Sequence, residues 1–143
     1  MALIVRLFFA FVLVAGLGRA ALADGPSSAD REAIHGLISS QIDAFRKDDG
    51  VAAFSYASPT IKGLFQTPDN FMQMVRQGYP PVYRPQSVTF GDMADTPAGP
   101  LQQVFLTGPD GKGYVALYSL QRQPDGSWLI NGCSIVDADG PSI

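Results

Sequence analysis

Few side chains in this sequence of 143 residues have the chemistry of a catalyst, and they occur as singletons. His35 is the only histidine and Cys133 the only cysteine. A general base must reach the proton it removes and usually needs a partner to orient it. On a helix turning about 100° per residue, His35 lies about 90° from the middle of the stripe formed by Ile34, Ile38 and Phe45. Asp43 lies about 80° from His35, on the outer face, so the two make no catalytic pair. Cys133 falls in a strand-like stretch, where a thiol behaves as a small apolar residue; the other reading is a reactive thiol, or one paired between molecules. Asp137-Ala138-Asp139-Gly140 resembles the start of a calcium loop, but no closing Glu follows, so it reads as a solvated tail. There is no Ser-His-Asp set, no glycine-rich phosphate loop after a strand and no Cys-x-x-Cys. The expectation is therefore no catalytic residue, no metal and no cofactor.

Recognition chemistry is better represented. Gln41 falls within about 30° of the middle of the buried helical face, and a buried amide must find partners. Two roles fit it: a hydrogen bond to the backbone of a sheet or of the proline-rich segment, or projection into a pocket where it orients a ligand. Tyr79-Pro80-Pro81-Val82-Tyr83-Arg84-Pro85 concentrates two Tyr and one Arg, types that join apolar area to a polar tip. There the alternatives are rings capping the core with Arg84 paired to an Asp, or a pocket rim with Arg84 engaging a carboxylate or phosphate. Tyr114, Tyr118 and Trp128 add aromatic area near the C-terminus.

The elements that must position these residues change character midway. Asp30 or Ser28 caps a helix to about Lys47, with Ile34, Leu37, Ile38, Ile42 and Phe45 at helical spacing. Asp48-Asp49-Gly50 ends it, and a short helix covers about 51–57. Ser58-Pro59 and Thr67-Pro68 are each a cap followed by Pro at the first helical position. They open helices through Phe65 and through Gly78. Three prolines in residues 79–85 argue against helix there. From Ser87 the pattern is strands at about 87–94, 101–108, 113–123 and 127–136, with Pro109-Asp110-Gly111 and Pro124-Asp125-Gly126 as turns. Helices followed by strands indicate an α+β fold, with helices on one face of an antiparallel sheet. Both faces of the last two strands are fairly apolar, which leaves one of them as an exposed patch or a homodimer surface.

Residues 1–23 have the three parts of a secretory signal: Arg6, the apolar run Leu7 to Leu17, and Ala21-Leu22-Ala23 as a small-x-small cleavage site before Asp24. The run stops at Arg19, short of the roughly 20 apolar residues a membrane span needs. The expected organisation is signal 1–23, linker 24–28, one domain at 29–137 and a tail at 138–143, in a periplasmic or secreted protein. The chain carries 10 basic and 13 acidic residues. Arg6 and Arg19 leave with the signal, so the acidic balance grows, which excludes nucleic acid as a partner. With a single cysteine, no intramolecular disulfide forms.

Gln41-x-x-Ala44-Phe45, Ala57-Ser58-Pro59-x-Ile61-x-x-x-Phe65, Phe71-x-x-Met74-Val75, Tyr79-x-Pro81-Val82-Tyr83-Arg84-Pro85 and Gly126-Ser127-Trp128-x-Ile130-x-Gly132-Cys133 together resemble an uncharacterised bacterial domain family of exported proteins. The helix-then-sheet layout is similar to the nuclear-transport-factor-2-like superfamily, in which a curved sheet wraps a long first helix around a conical pocket. That superfamily holds isomerases, dehydratases and non-catalytic binding modules, so the resemblance implies a fold and leaves the chemistry open. The reading is a non-catalytic module for a small apolar ligand or a protein partner, with Gln41, Phe45, Phe71, Tyr79, Tyr83, Arg84, Tyr118 and Asn131 as candidate pocket residues. The alternatives are a pocket enzyme of isomerase or hydrolase type, or an assembly partner using the open sheet.

Overall fold

The computed structural model describes residues 25–138. The signal-like segment, the Ala23–Asp24 junction and the end of the acidic tail lie outside the described residues. Among the described residues, five helices precede four strands: α1 (Ser28–Arg46), α2 (Gly50–Ser55), α3 (Pro59–Phe65), α4 (Pro68–Gly78), α5 (Pro80–Tyr83), then β1 (Ser87–Thr96), β2 (Gly99–Thr107), β3 (Gly113–Arg122) and β4 (Trp128–Asp137). The strands form one open antiparallel sheet in the order β1-β2-β3-β4. No described helix is long and apolar enough to cross a membrane.

The cap of α1 lies one residue before Ser28, the earlier of the two expected positions. Ser27 is the N-cap, its hydroxyl accepting from Asp30 N at 3.1 Å while the Asp30 carboxylate accepts from Ser27 N at 3.1 Å. This reciprocal box satisfies two donors that helix geometry leaves unpaired. Asp30 is thus the third helical residue rather than the cap, and it also accepts from Arg122 at 3.0 Å and Trp128 Nε1 at 3.2 Å. The Ser27 amide first, then the Trp128 indole, hold its carboxyl below the usual range. α1 buries Ile34, Ile38, Ile42 and Phe45, each contributing about 1.5–3 kcal/mol by leaving water.

The Asp48-Asp49-Gly50 turn divides its labour. Asp48 takes the left-handed conformation (φ 53°), which Asp tolerates better than most residues. Asp49 caps α2 by accepting from Ala52 N at 3.1 Å. Ser58 and Thr67 cap α3 and α4 with Pro behind them, as their spacing indicates. The segment expected to be non-helical contains α5, a single turn. Its two leading prolines occupy the first positions of that turn, where a missing N–H leaves no hydrogen bond unmade.

The strands depart from strict alternation at two bulges, between Phe90 and Met93 on β1 and opposite Ser119/Leu120 on β4. At the second, Ile130 pairs with Leu120 and Gly132 with Ser119, so Asn131 is the extra residue. Simple alternation sets Ile130 and Cys133 on opposite faces. The bulge instead brings Ile130, Cys133 and Ile135 to the side of Leu120, Tyr118 and Ala116, the buried side of β3. Ile130 uses its outward backbone groups on the helical layer: its N–H donates to Tyr56 O at 2.9 Å and its carbonyl accepts from Ser58 N at 2.8 Å. This short parallel bridge, Ala57 to Ile130, covers the edge of β4. The Ser58 hydroxyl, fully buried, completes it by donating to Asn131 Oδ1 at 2.8 Å and accepting from Ile61 N at 3.3 Å.

Replacing Ser58 with Ala removes an N-cap and leaves Asn131 Oδ1 without its donor. The expected cost is about 1–3 kcal/mol in urea unfolding, with Ser58→Thr retaining most of the stability. A loss below about 0.5 kcal/mol would mean the bridge does not depend on this hydroxyl.

Candidate functional site

Between the helices and β3–β4 lies a cavity of about 330 Å³, open to solvent on one side. That volume sits at the small end of the range for small-molecule pockets, about 300–1,000 Å³. Its floor comes from the sheet: Tyr118 on β3, Ile130 and Cys133 on β4. Gln41 and Phe45 of α1 and Phe71, Met74 and Val75 of α4 form the walls, while Ile61, Leu64 and Phe65 of α3 form part of the lining. Leu64 is 70% exposed, which puts it at the mouth. Phe71 packs obliquely on Phe45 (ring centroids 6.1 Å apart) and edge-on to Phe65 (5.8 Å), the arrangement aromatic quadrupoles favour.

The polar groups in this wall are few. Gln41, 3% exposed, donates its Nε2 to Ala53 O on α2 at 3.1 Å. Its partner is thus neither the sheet nor the proline-rich segment, and among the described residues no protein donor reaches its Oε1. The Tyr79 hydroxyl donates to Cys133 O at 3.1 Å. Tyr118 is 1% exposed and its hydroxyl has no hydrogen-bond partner, alone among buried side-chain polar atoms of the described residues. A buried hydroxyl without a partner costs about 1–3 kcal/mol. Cys133 stands directly across from Tyr118 in the β3–β4 register. Burial pushes the Cys133 thiol up to about 12, against an opposing pull from the facing Tyr118 hydroxyl. Burial, then the facing Cys133, pushes Tyr118 well above its usual value. Both groups are neutral at physiological pH, so neither serves as a ready nucleophile or base.

Of the residues singled out from sequence, Gln41, Phe45, Phe71, Tyr79 and Tyr118 meet in this cavity. Tyr83, Arg84 and Asn131 do not line it. Tyr83 and Arg84 are committed to the C-terminal end of α1. Arg84 donates to Asp48 Oδ2 at 2.9 Å and to the Phe45 carbonyl, its guanidinium lying 4.0 Å from the centre of the Tyr83 ring. The Tyr83 hydroxyl donates to the other Asp48 oxygen, and it, ahead of Arg84, holds the Asp48 carboxyl below the usual range. A cation on the last carbonyls of a helix also complements its dipole. Asn131 turns to Ser58 because the bulge points it there.

His35 lies away from the cavity. Its Nε2 is 3.0 Å from Gln102 Oε1 and its ring stacks on Phe90 with centroids 4.2 Å apart. Gln102 is fully buried and donates its Nε2 to Gly91 O at 3.0 Å and to Gln103 O at 2.8 Å, fastening the β1 bulge. With that amide donating, the His35 nitrogen facing Oε1 carries a proton. Sequence reasoning passed over Gln102, although alternation along β2 puts it on the same face as Val104 and Leu106. It also passed over Ile130, Cys133 and the α3 residues of the lining. No group of three or more His, Cys, Asp or Glu among the described residues is placed to hold a metal ion.

A family model matches residues 27–143, from the N-cap of α1 onward. The chain belongs to that family, a domain of unknown function (DUF4864). No curated protein and no solved structure matches the chain. In this DUF4864 domain the polar floor of the cavity rests on one cross-strand pair, Tyr118 and Cys133. Both groups have raised folded pKa values, so their contribution to stability is complete below the unfolded values, from about 9.0 for Cys133. It is lost as pH rises toward about 12. Chemical unfolding at graded pH should therefore show stability falling above pH 9, and Cys133→Ala should flatten part of that fall. At pH 8 the folded thiol should react with iodoacetamide about three orders of magnitude more slowly than an unperturbed cysteine, from its thiolate fraction alone. Reaction at the rate of a free thiol would overturn this assignment.

Proposed function

We propose that this domain is an exported, non-catalytic module that binds a small apolar ligand in the cavity between α1, α3, α4 and the β3–β4 floor. The observation that carries the reading is a largely apolar cavity of about 330 Å³ whose Tyr118 hydroxyl has no oxygen or nitrogen partner among the described residues and faces only the Cys133 thiol. Around it stand Phe45, Phe65 and Phe71, surface that a ligand would remove from water. A long first helix over an antiparallel sheet with a cavity between them supports the nuclear-transport-factor-2-like cone as the finer description of the fold. The pattern of residues 1–23, and a lone cysteine kept neutral by burial, support a periplasmic or secreted destination. A titratable group poised at neutral pH, which an isomerase or hydrolase needs, is not among the lining residues.

A second reading rests on the outer sheet face, where Phe105, Leu117 and Val136 are 42%, 37% and 51% exposed. That surface supports pairing between copies or with another protein.

Native mass spectrometry of the protein purified from its own source tests both readings at once. The ligand reading expects a non-covalent adduct of small-molecule mass on a chain beginning at Asp24, absent from Met74→Trp, whose indole would fill the cavity. A bare chain, or an adduct equally retained by Met74→Trp, would count against it. Gln41→Leu should weaken ligand binding while costing only about 1 kcal/mol in stability, because Ala53 O also accepts from Tyr56 N. A dimer that dissociates in Phe105→Ser would support the second reading.

A further inference from the structure

The charge character of the cavity restricts what it can hold beyond size and apolarity. Among the described residues its lining includes no Lys, Arg, His, Asp or Glu. The polar side chains in it are Gln41, Tyr79, Tyr118 and Cys133. Tyr79 is already spent on Cys133 O, and Gln41 donates to Ala53 O. What is left to meet a ligand is one amide oxygen and neutral O–H and S–H groups. An ion entering such a wall would leave its hydration shell with no counter-charge and few dipoles to replace it. Arg84 of the Tyr79–Pro85 segment is unavailable too, since it is held by Asp48 and the Phe45 carbonyl.

Resting on the ligand-binding reading above, we infer that the cavity selects electrically neutral molecules, such as a medium-chain alcohol, a ketone or a neutral bicyclic aromatic. It rejects the ionised counterparts of the same shape, fatty-acid anions, sulfonates and phosphate esters included. The discrimination comes from the missing counter-charge rather than from size, so it persists between ligands with the same hydrophobic body.

Two dyes sharing the anilinonaphthalene framework make the test: neutral N-phenyl-1-naphthylamine and anionic 8-anilino-1-naphthalenesulfonate. Each is titrated into the mature protein by fluorescence at pH 7 in 0.5 M NaCl, where long-range repulsion from the acidic protein is screened to a few ångströms. The neutral dye should bind at least about 30-fold more tightly, and decan-1-ol should displace it where decanoate at the same concentration does not. Leu64→Lys places a cation at the exposed mouth without disturbing the core, and should raise the sulfonate's affinity relative to that of the neutral dye about fivefold or more. Binding of both dyes within about threefold, with both lost in Met74→Trp, would overturn charge selection and leave the pocket reading standing. Failure of both dyes to bind, or binding indifferent to Met74→Trp, would overturn the pocket reading itself.

Discussion

The helical half of this domain and its sheet are joined by one backbone exchange, between Ile130 on β4 and the turn at Tyr56–Ser58. Its two hydrogen bonds require Ile130 to present its N–H and C=O away from β3, and that is possible because Asn131 is inserted as a bulge. The same insertion turns both Ile130 and Cys133 inward. One extra residue therefore does three things together: it covers an exposed strand edge, anchors the start of α3 through Ser58, and lays the floor of the cavity. Were Asn131 taken into a regular pleat, either Ile130 or Cys133 would have to turn to the other face.

Interactions at the two ends of α1 fix where that cavity opens. At the N-terminus, Asp30 closes the capping box and reaches Arg122 and Trp128 on the β3–β4 hairpin. At the C-terminus, Arg84 and Tyr83 converge on Asp48 and the Phe45 carbonyl. The long helix is thus pinned at both ends, and its inner face, with Gln41 and Phe45, is held against the pocket. These surface contacts are individually modest, as exposed ion pairs are. Their value lies in orientation: they use the end groups of the helix that have no intrahelical partner.

The molecule treats its buried polar groups in two ways. At the β1 bulge, Gln102 is fully occupied, its amide nitrogen donating to the backbone and its oxygen facing the His35 ring nitrogen. That network is structural, for it leaves nothing to offer a ligand. In the cavity the accounts are left open: the Tyr118 hydroxyl has no partner. Polar groups left partly unmade cost stability, and here they stand beside Phe45, Phe65 and Phe71.

What the sequence determined by itself was everything set by neighbours in the chain. Ser58-Pro59 and Thr67-Pro68 opened helices because cap and proline act on the adjacent turn. Asp110-Gly111 and Asp125-Gly126 made turns because Gly111 and Gly126 take left-handed φ values of 80° and 88°. The apolar face of α1 and the α+β order followed from the same local periodicities. The tertiary structure alone decided matters that depend on partners distant in the chain. It chose Asp48 for Arg84, Gln102 for His35 and Ser58 for Asn131, and it admitted a helical turn at Pro80–Tyr83. It also broke strand alternation at Asn131, since a bulge is fixed by what the strand must pair with on both sides. No period of two within residues 128–137 announces that choice, and the character of the cavity floor turns on it.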